Sequence, residues 1–141
     1  MPLGQLTVSA AALRAIHAHA AEGWPHEVVG ILAGVPGRVT DVAALVNERA
    51  DSPRNRYAVS GLTVLRAQQR LEADGHTILG YYHSHPDHPA IASDTDRDNA
   101  LPNLSYLIVS VRTGIPVDTR SWVLRDDRSA MDEQPVRLET E

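Results

Sequence analysis

The chain has 141 residues, of which 43% are hydrophobic and 22% charged, values ordinary for one soluble globular domain. Its formal net charge of −5, without any run of basic residues, argues against nucleic acid or an anionic membrane surface as the main partner. Because the chain contains no cysteine, disulfides, thiolate nucleophiles and cysteine-ligated zinc or iron–sulfur sites are excluded.

Two further features bear on where the protein acts. No apolar run approaches the roughly 20 residues that span a bilayer. The N-terminal segment lacks the basic region of a secretory signal. We therefore expect a cytoplasmic protein with one domain over residues 1–141, in which the charged residues 125–141 form an extended or partly ordered tail.

The first third of the chain predicts a strand, a helix and a strand pair. Residues 3–8 alternate weakly, which favours an edge strand. Ser9 offers an N-cap to a helix over residues 10–23, which Gly23 ends. After a turn at Trp24-Pro25, two paired strands are predicted, over residues 27–33 and 38–47.

The rest of the chain alternates helices and strands after a polar loop that contains Pro53. Ser60 caps a predicted helix over residues 62–74, which Gly75 closes. Three further strands and a short helix that begins at Ser93 follow, the strands covering residues 77–85, 105–111 and 117–124. Interleaved strands and helices indicate an α/β fold with a mixed sheet covered on both faces.

Two histidines stand two residues apart at the end of the predicted strand that Pro86 stops. His83 and His85 should leave the same face with Cα atoms about 6.6 Å apart, a spacing at which two imidazoles can bind one metal ion. A pair of half-exposed histidines at a strand end is the ordinary alternative, and His-x-His by itself is weak evidence for a site.

Ser93 and Asp96 lie at the start of the predicted short helix. Ser-x-x-Asp can act as a capping box with Ser93 as N-cap, and on this segment alone capping is the better interpretation. The two roles are compatible, because a carboxylate fixed in the first turn of a helix is already oriented for a ligand. His83, His85 and Asp96 together suit zinc with a fourth position open for water.

A metal centre that activates water also needs a proton acceptor. Glu27 is the candidate, since it opens an otherwise apolar strand. In isolation, a solvated residue at a strand start is the better interpretation. In a chain that offers three ligands and no other obvious base, Glu27 is favoured as the acceptor.

The sequence resembles the JAMM (MPN+) zinc metalloprotease family. His83-Ser84-His85-Pro86, six further residues and Ser93-x-x-Asp96 are similar to its signature H-x-H-P-x6-S-x-x-D. Residues 25–34, PHEVVGILAG, are similar to the strand that bears the family's glutamate. The resemblance covers most of the chain from the first helix to about Val111.

Other positions agree with the family or depart from it. Asn47 and Arg56-Tyr57 stand where such chains usually carry an asparagine and a basic–aromatic pair. Val29 and Ala92 depart from the pattern, because many members have cysteine and proline there. Neither departure removes a chemical group, although Ala92 makes the loop before the helix less rigid.

The resemblance implies a fold and a set of roles. The fold is a three-layer JAB/MPN-type α/β fold, similar to that of deaminases, with a curved mixed sheet flanked by helices. One zinc ion per chain is held by His83, His85 and Asp96. Glu27 acts as the base, and Ser93 donates a hydrogen bond to the oxyanion.

The resemblance also implies a substrate. The expected enzyme is a metallopeptidase that hydrolyses the peptide or isopeptide bond after the C-terminal Gly-Gly of a small ubiquitin-like or sulfur-carrier protein. A chain of 141 residues has little room for the large insertions of eukaryotic relatives. We expect the strand that ends at His85 and the strand from Glu27 to leave a narrow channel over the metal, which the carrier tail enters extended by hydrogen-bonding to exposed backbone. A homodimer is left open.

Two alternatives belong to other classes of protein. A non-catalytic MPN-type scaffold would bind a ubiquitin-like partner without cleaving it, but scaffolds usually lack the ligands that this chain has. A zinc deaminase has a similar fold but requires cysteine ligands, which this chain lacks. Four other histidines are predicted to be surface residues (His17, His19 and His76) or to face solvent or substrate (His88).

Overall fold

The computed structural model describes residues 4–46 and 60–140. Its helices and strands, in chain order, are β1 (Leu6–Val8), α1 (Ala10–Gly23), β2 (Val29–Val35), β3 (Arg38–Leu45), α2 (Gly61–Ala73), β4 (Thr77–Pro86), α3 (Asp94–Asn99), β5 (Ser105–Arg112), β6 (Ile115–Leu124), β7 (Met131–Gln134) and β8 (Val136–Leu138). The predicted Asn47 and Arg56-Tyr57 positions lie outside the described residues. None of the helices in the described ranges is long and apolar enough to cross a bilayer.

Within the described residues, eight strands form one mixed sheet in the order β7-β6-β5-β4-β2-β3-β1-β8. The pairs β4–β5, β1–β3 and β1–β8 are parallel, and the other neighbours are antiparallel. β2 and β4 therefore occupy the middle of the sheet. This interior position explains why the sequence of β2 is apolar almost throughout.

Successive residues of β2 pack on opposite faces of the sheet, which gives three layers. Leu32 belongs to a buried cluster under α1 that also contains Ile16. Ile31 belongs to a second cluster on the other face, under α2, where it packs with Ala67 and Leu71. The predicted α/β fold with a mixed sheet covered on both faces is confirmed.

The N-caps that the sequence predicted for the two long helices are confirmed. The Ser9 hydroxyl accepts a hydrogen bond from the backbone N–H of Ala12 at 3.2 Å, and the Ser60 hydroxyl accepts one from Thr63 at 3.2 Å. Each cap satisfies a backbone donor that the first helical turn leaves without an intrahelical partner.

The segment that was expected to be a tail instead contributes strands to both ends of the sheet. β7 pairs with β6 and β8 pairs with β1, with Pro135 between them. The Gln134 side chain accepts a hydrogen bond from the Ser121 hydroxyl and donates one to the Gly4 carbonyl, both at 2.7 Å. β7 and β8 lie at opposite ends of the strand order, but only Pro135 separates them in sequence. The sheet must therefore curve until its two ends meet.

Two histidines of α1 join this helix to the sheet. His17 Nε2 shares a hydrogen bond with Thr119 Oγ1 of β6 at 2.9 Å, and His19 Nδ1 shares one with the Tyr82 hydroxyl of β4 at 2.7 Å. Both side chains are half-buried, and His76 contacts Asp41 at 3.3 Å. These predicted surface histidines are partly exposed, and each also faces a polar partner on another element.

Candidate metal centre

The end of β4 brings two imidazole nitrogens together. β4 is held between β2 and β5, and His83 lies opposite Val29 of β2 and Ile108 of β5. His83 is only 2% exposed. The Nε2 atoms of His83 and His85 lie 3.3 Å apart. The expectation that both side chains leave the same face of the strand is confirmed.

Asp96 of α3 faces both rings. Its Oδ1 atom lies 3.1 Å from His83 Nε2, and its Oδ2 atom lies 3.1 Å from His85 Nε2. The predicted capping box is also present, because Ser93 Oγ accepts from the Asp96 N–H at 3.1 Å and Asp96 Oδ2 accepts from the Ser93 N–H at 2.9 Å. The same carboxylate therefore caps the helix and faces the histidines.

Glu27 is buried beside the histidines, not solvated at a strand start. It is 4% exposed, and one of its carboxylate oxygens lies within 4.8 Å of ring nitrogens of His83 and His85. The next residue is tied to β4, since Val28 N–H donates to Ser84 Oγ at 2.9 Å and Ser84 N–H donates to the Val28 carbonyl at 3.1 Å. These two bonds fix the backbone that carries Glu27.

The electrostatics of the two carboxylates differ. Burial raises the pKa of Glu27 to about 8. Burial also acts to raise the pKa of Asp96, but hydrogen bonds from the His83 and His85 rings outweigh it and hold that pKa well below its usual value. Burial acts to lower the pKa of His85, but its hydrogen bonds to Asp96 and Pro89 raise it overall. Asp96 is thus anionic, whereas Glu27 can hold a proton near neutral pH.

The spacing of these donor atoms fits a tetrahedral metal ion. Donors that share a zinc ion at bond lengths of about 2.0–2.1 Å lie about 3.3 Å from one another. The separations of 3.1 Å and 3.3 Å among His83, His85 and Asp96 agree with that value. Since the Glu27 oxygen is also within 4.8 Å of both rings, two sets of three ligands are geometrically available, one with Asp96 and one with Glu27.

Two groups that support the site were not predicted from the sequence. Ser84, treated there only as a spacer, holds Val28 through its side chain. His85 Nδ1 donates to the Pro89 carbonyl at 2.8 Å, which leaves Nε2 to face Asp96. Alternation along β4 could have indicated that Ser84 points away from the histidines. No pattern of side chains could have revealed a backbone carbonyl.

The pairing of the sheet limits where a substrate tail can add as a strand. Residues 29–34 of β2 and residues 80–83 of β4 are paired on both sides, so these stretches cannot accept a further strand. His88 is exposed in the loop after β4, in agreement with the expectation that it faces solvent or substrate.

Comparison with known proteins relates this site to a family. Residues 9–125 match the family model Prok-JAB, described as prokaryotic homologs of the JAB domain. The chain is 35% identical over 116 residues to "Desampylase" of Haloferax volcanii, covering 78% of this chain and 84% of the relative. It is 36% identical over 96 residues to "Probable TtuB-protein conjugate cleaving protease" of Thermus thermophilus, covering 68% of this chain and 64% of the relative.

Solved structures agree with this relationship. Protein DSY2949 from Desulfitobacterium hafniense superposes with a TM-score of 0.80 at 30% identity, covering 96% of this chain and 94% of its own. The JAB1/MPN domain protein AF2198 from Archaeoglobus fulgidus superposes with a TM-score of 0.60 at 15% identity, covering 95% and 96%. The second likeness supports the fold alone. The chain therefore belongs to the prokaryotic homologues of the JAB domain, and its fold is the expected JAB/MPN fold.

Proposed function

We propose that this chain is a zinc metallopeptidase of the JAMM type. Its substrate would be a small ubiquitin-like or sulfur-carrier protein, and the bond cleaved would be the peptide or isopeptide bond after the carrier's C-terminal Gly-Gly. The observation that carries the proposal is the convergence of the Nε2 atoms of His83 and His85 on both oxygens of Asp96, beside the buried Glu27. The names of the two relatives, a desampylase and a conjugate-cleaving protease, support the substrate class.

His83, His85 and Asp96 would hold one zinc ion. Asp96 is preferred over Glu27 as the third ligand, because a ligand must be deprotonated and Asp96 is held in its anionic form. When bound, zinc supplies a Lewis acid for the scissile carbonyl and lowers the pKa of the attacking water. The carboxylate of Glu27 then lies outside the ligand set and would serve in proton transfer.

Glu27 would move the proton. A cation held by the neighbouring imidazoles favours its ionised form, which accepts a proton from the attacking water. Because burial raises the pKa of Glu27 to about 8, the protonated carboxyl is also a stable state near neutral pH. It then gives this proton to the leaving amine nitrogen as the carbon–nitrogen bond breaks.

Ser93 would stabilise the charge that develops on the carbonyl oxygen. As the N-cap of α3 its oxygen accepts a hydrogen bond from the Asp96 N–H at 3.1 Å. Capping uses a lone pair of this oxygen and leaves the hydroxyl hydrogen available. The hydroxyl can therefore donate to the oxyanion while the helix stays capped.

The placement of the ligands supports the proposed Gly-Gly requirement. A residue next to the cleaved bond would lie beside the two imidazoles and the α3 N-terminus, where we expect small residues to fit best. Since the backbone of β2 and β4 is already paired, we expect the tail to be held outside those strands. The folded carrier would supply binding energy remote from the bond that breaks.

The decisive experiment uses a carrier protein extended beyond its Gly-Gly by a short peptide. Incubated with the zinc-loaded chain and followed by intact mass, the carrier should lose the extension at the bond after the second glycine. A Gly-Gly→Val-Val carrier should resist cleavage, and the isolated tail peptide should be a poor substrate. Equal cleavage of the Val-Val carrier, or of unrelated unfolded proteins, would contradict the proposed substrate class.

A further inference from the structure

The segment between β4 and β5 carries Ser93 and Asp96 with little hydrophobic anchoring. Within residues 88–100, only Ala90 and Ala100 are buried, and α3 contributes no buried residue. Two small side chains cannot fix such a segment through packing alone, because each buries little apolar surface. Polar contacts must therefore hold the loop and the helix in place.

Three successive carbonyls of the loop accept hydrogen bonds from side chains outside it. The His88 carbonyl accepts from the Ser110 hydroxyl of β5 at 2.5 Å. The Pro89 carbonyl accepts from His85 Nδ1 at 2.8 Å. The Ala90 carbonyl accepts from the indole N–H of Trp122, on β6, at 3.0 Å. The contact to His85 thus lies between two contacts that come from the neighbouring strands.

The middle contact sets the orientation of the His85 ring. A carbonyl oxygen can only accept, so Nδ1 must carry a proton when this bond forms. Nε2 is then the ring nitrogen that faces Asp96 and His83. If the Pro89 carbonyl moved, the ring would lose the hydrogen bond that fixes its orientation.

We propose that Trp122 and Ser110 are positioning residues, which set the His85 ring by holding the carbonyls on either side of Pro89. Neither residue belongs to the proposed ligand set or to the sequence signature. This inference rests on the proposed function only in that His85 is taken to be a metal ligand. The ring orientation itself is a property of the chain alone.

The chain offers a matched control on the same strand. Ser121 adjoins Trp122 on β6, but its hydroxyl points to the other side of the sheet and donates to Gln134 at 2.7 Å. Ser110 and Ser121 are both buried, and each donates one side-chain hydrogen bond. Ser110→Ala and Ser121→Ala are therefore the same chemical change, but only the first affects the loop.

The experiment measures zinc affinity by competition with a chromophoric chelator. Removing a direct partner of a ligand histidine typically weakens metal binding about 10–100-fold. Trp122 and Ser110 do not bond to His85 itself but to the carbonyls on either side of Pro89. Trp122→Phe and Ser110→Ala should therefore each weaken zinc binding by a smaller factor, about threefold to tenfold. Ser121→Ala should leave the zinc affinity unchanged, although urea denaturation should show that it lowers stability.

A second measurement does not depend on the metal. In the metal-free protein at fixed pH, the ¹⁵N shift of His85 Nδ1 and slow exchange of its proton should report the hydrogen bond to the Pro89 carbonyl, and Trp122→Phe should weaken both signals. Unchanged affinity and an unchanged Nδ1 signal in both loop variants would overturn the inference, as would an equal loss of affinity in Ser121→Ala. A wild-type chain that binds no zinc would instead refute the proposed metal centre, and the ring shifts would still decide the positioning role.

Discussion

Burial raises the pKa of Glu27 to about 8, whereas hydrogen bonds from two imidazoles overcome the effect of burial at Asp96 and hold its pKa low. The two carboxylates are both withdrawn from solvent, so the difference comes from their partners. Environments that separate the pKa values of two neighbouring acids commonly separate their roles. Here the separation supports the proposed roles, metal binding by Asp96 and proton transfer by Glu27.

Asp96→Asn should remove a ligand charge while keeping the size of the side chain. We expect zinc affinity to fall by more than about 100-fold, beyond the loss typical of an indirect partner. Asp98→Asn is the matched control, because Asp98 is exposed on the same helix and should not affect zinc binding. Chelator competition measures both variants. If Asp96→Asn kept zinc and Glu27→Gln lost it, the ligand set would be His83, His85 and Glu27.

Glu27→Gln should keep zinc and lose turnover. An amide cannot accept the proton of the attacking water, and general-base catalysis is typically worth about 10²–10⁴ in rate. Glu22→Gln makes the same change at an exposed position of α1 and should leave kcat unaltered. Steady-state kinetics on the extended carrier, with metal content measured in parallel, provide the test. A Glu27→Gln enzyme with kcat near that of the wild type would refute the proton-transfer role.

The sequence predicted the reactive groups at this scale but not the groups that hold them. The His83-x-His85 spacing on a strand and the Ser93-x-x-Asp96 spacing at a helix start are local, so they could be interpreted without knowing the fold. The contacts of Ser84 with Val28 and of Trp122 with Ala90 join residues 56 and 32 positions apart. Such contacts depend on which strands become neighbours.

At the scale of elements, α3 combines a structural and a proposed chemical role in one residue. Ser93→Ala should remove the cap of α3, at a cost of about 0.5–2 kcal/mol, together with the proposed oxyanion donor. We expect kcat to fall by about 10²–10³ with zinc retained, as for the loss of one oxyanion-hole donor. Kinetics and metal analysis of the variant, measured together, test this expectation.

Ser9→Ala separates the effect of losing a helix cap on stability from the effect of losing the Ser93 hydroxyl on catalysis. Ser9 caps α1 through the same kind of bond to Ala12, so its removal should cost similar stability without changing kcat. Thermal unfolding of both variants shows whether the two caps are equivalent. A similar fall in kcat for Ser9→Ala would mean that the effect of Ser93→Ala is one of stability alone.

Elements with an apolar period or a capping motif were predicted, whereas β7 and β8, which have neither, were not. β2, β4 and β5 bury consecutive or alternate apolar residues, and their bounds agree with the prediction to within about two residues. β7 and β8 are only 4 and 3 residues long and include Asp132, Glu133 and Arg137. They form strands because the backbones of β6 and β1 pair with them, and this pairing cannot be predicted from the local sequence.

At the scale of the whole molecule, the contacts between α1 and the sheet should make stability depend on pH. Burial lowers the pKa of His17, and it lowers the pKa of His19 against an opposing effect of Glu22. The unfolded chain therefore binds protons more readily than the folded chain at these two positions. Their contribution to stability is fully present above about pH 6.5 and is lost as the pH falls below that value.

Urea denaturation at pH 7.5 and pH 5.5 in the presence of chelator tests this expectation. Wild-type protein should lose more stability on acidification than a His17→Gln/His19→Gln variant. Titration of the histidines at the proposed metal centre changes the stability of both proteins equally. It therefore cancels when the two pH dependences of stability are compared. Identical pH dependence in the two proteins would show that these histidines do not link stability to pH.

The closure of the sheet through Pro135 has a consequence for the exposure of strand edges. One short stretch, Met131–Leu138, covers the backbone of β6 over Ser121–Leu124 and that of β1. A proteolytic cut in the turn before it, followed by release of the stretch, would uncover both strands at once. Unpaired strand edges recruit other chains. We therefore expect Met131–Leu138 to protect both ends of the sheet against aggregation.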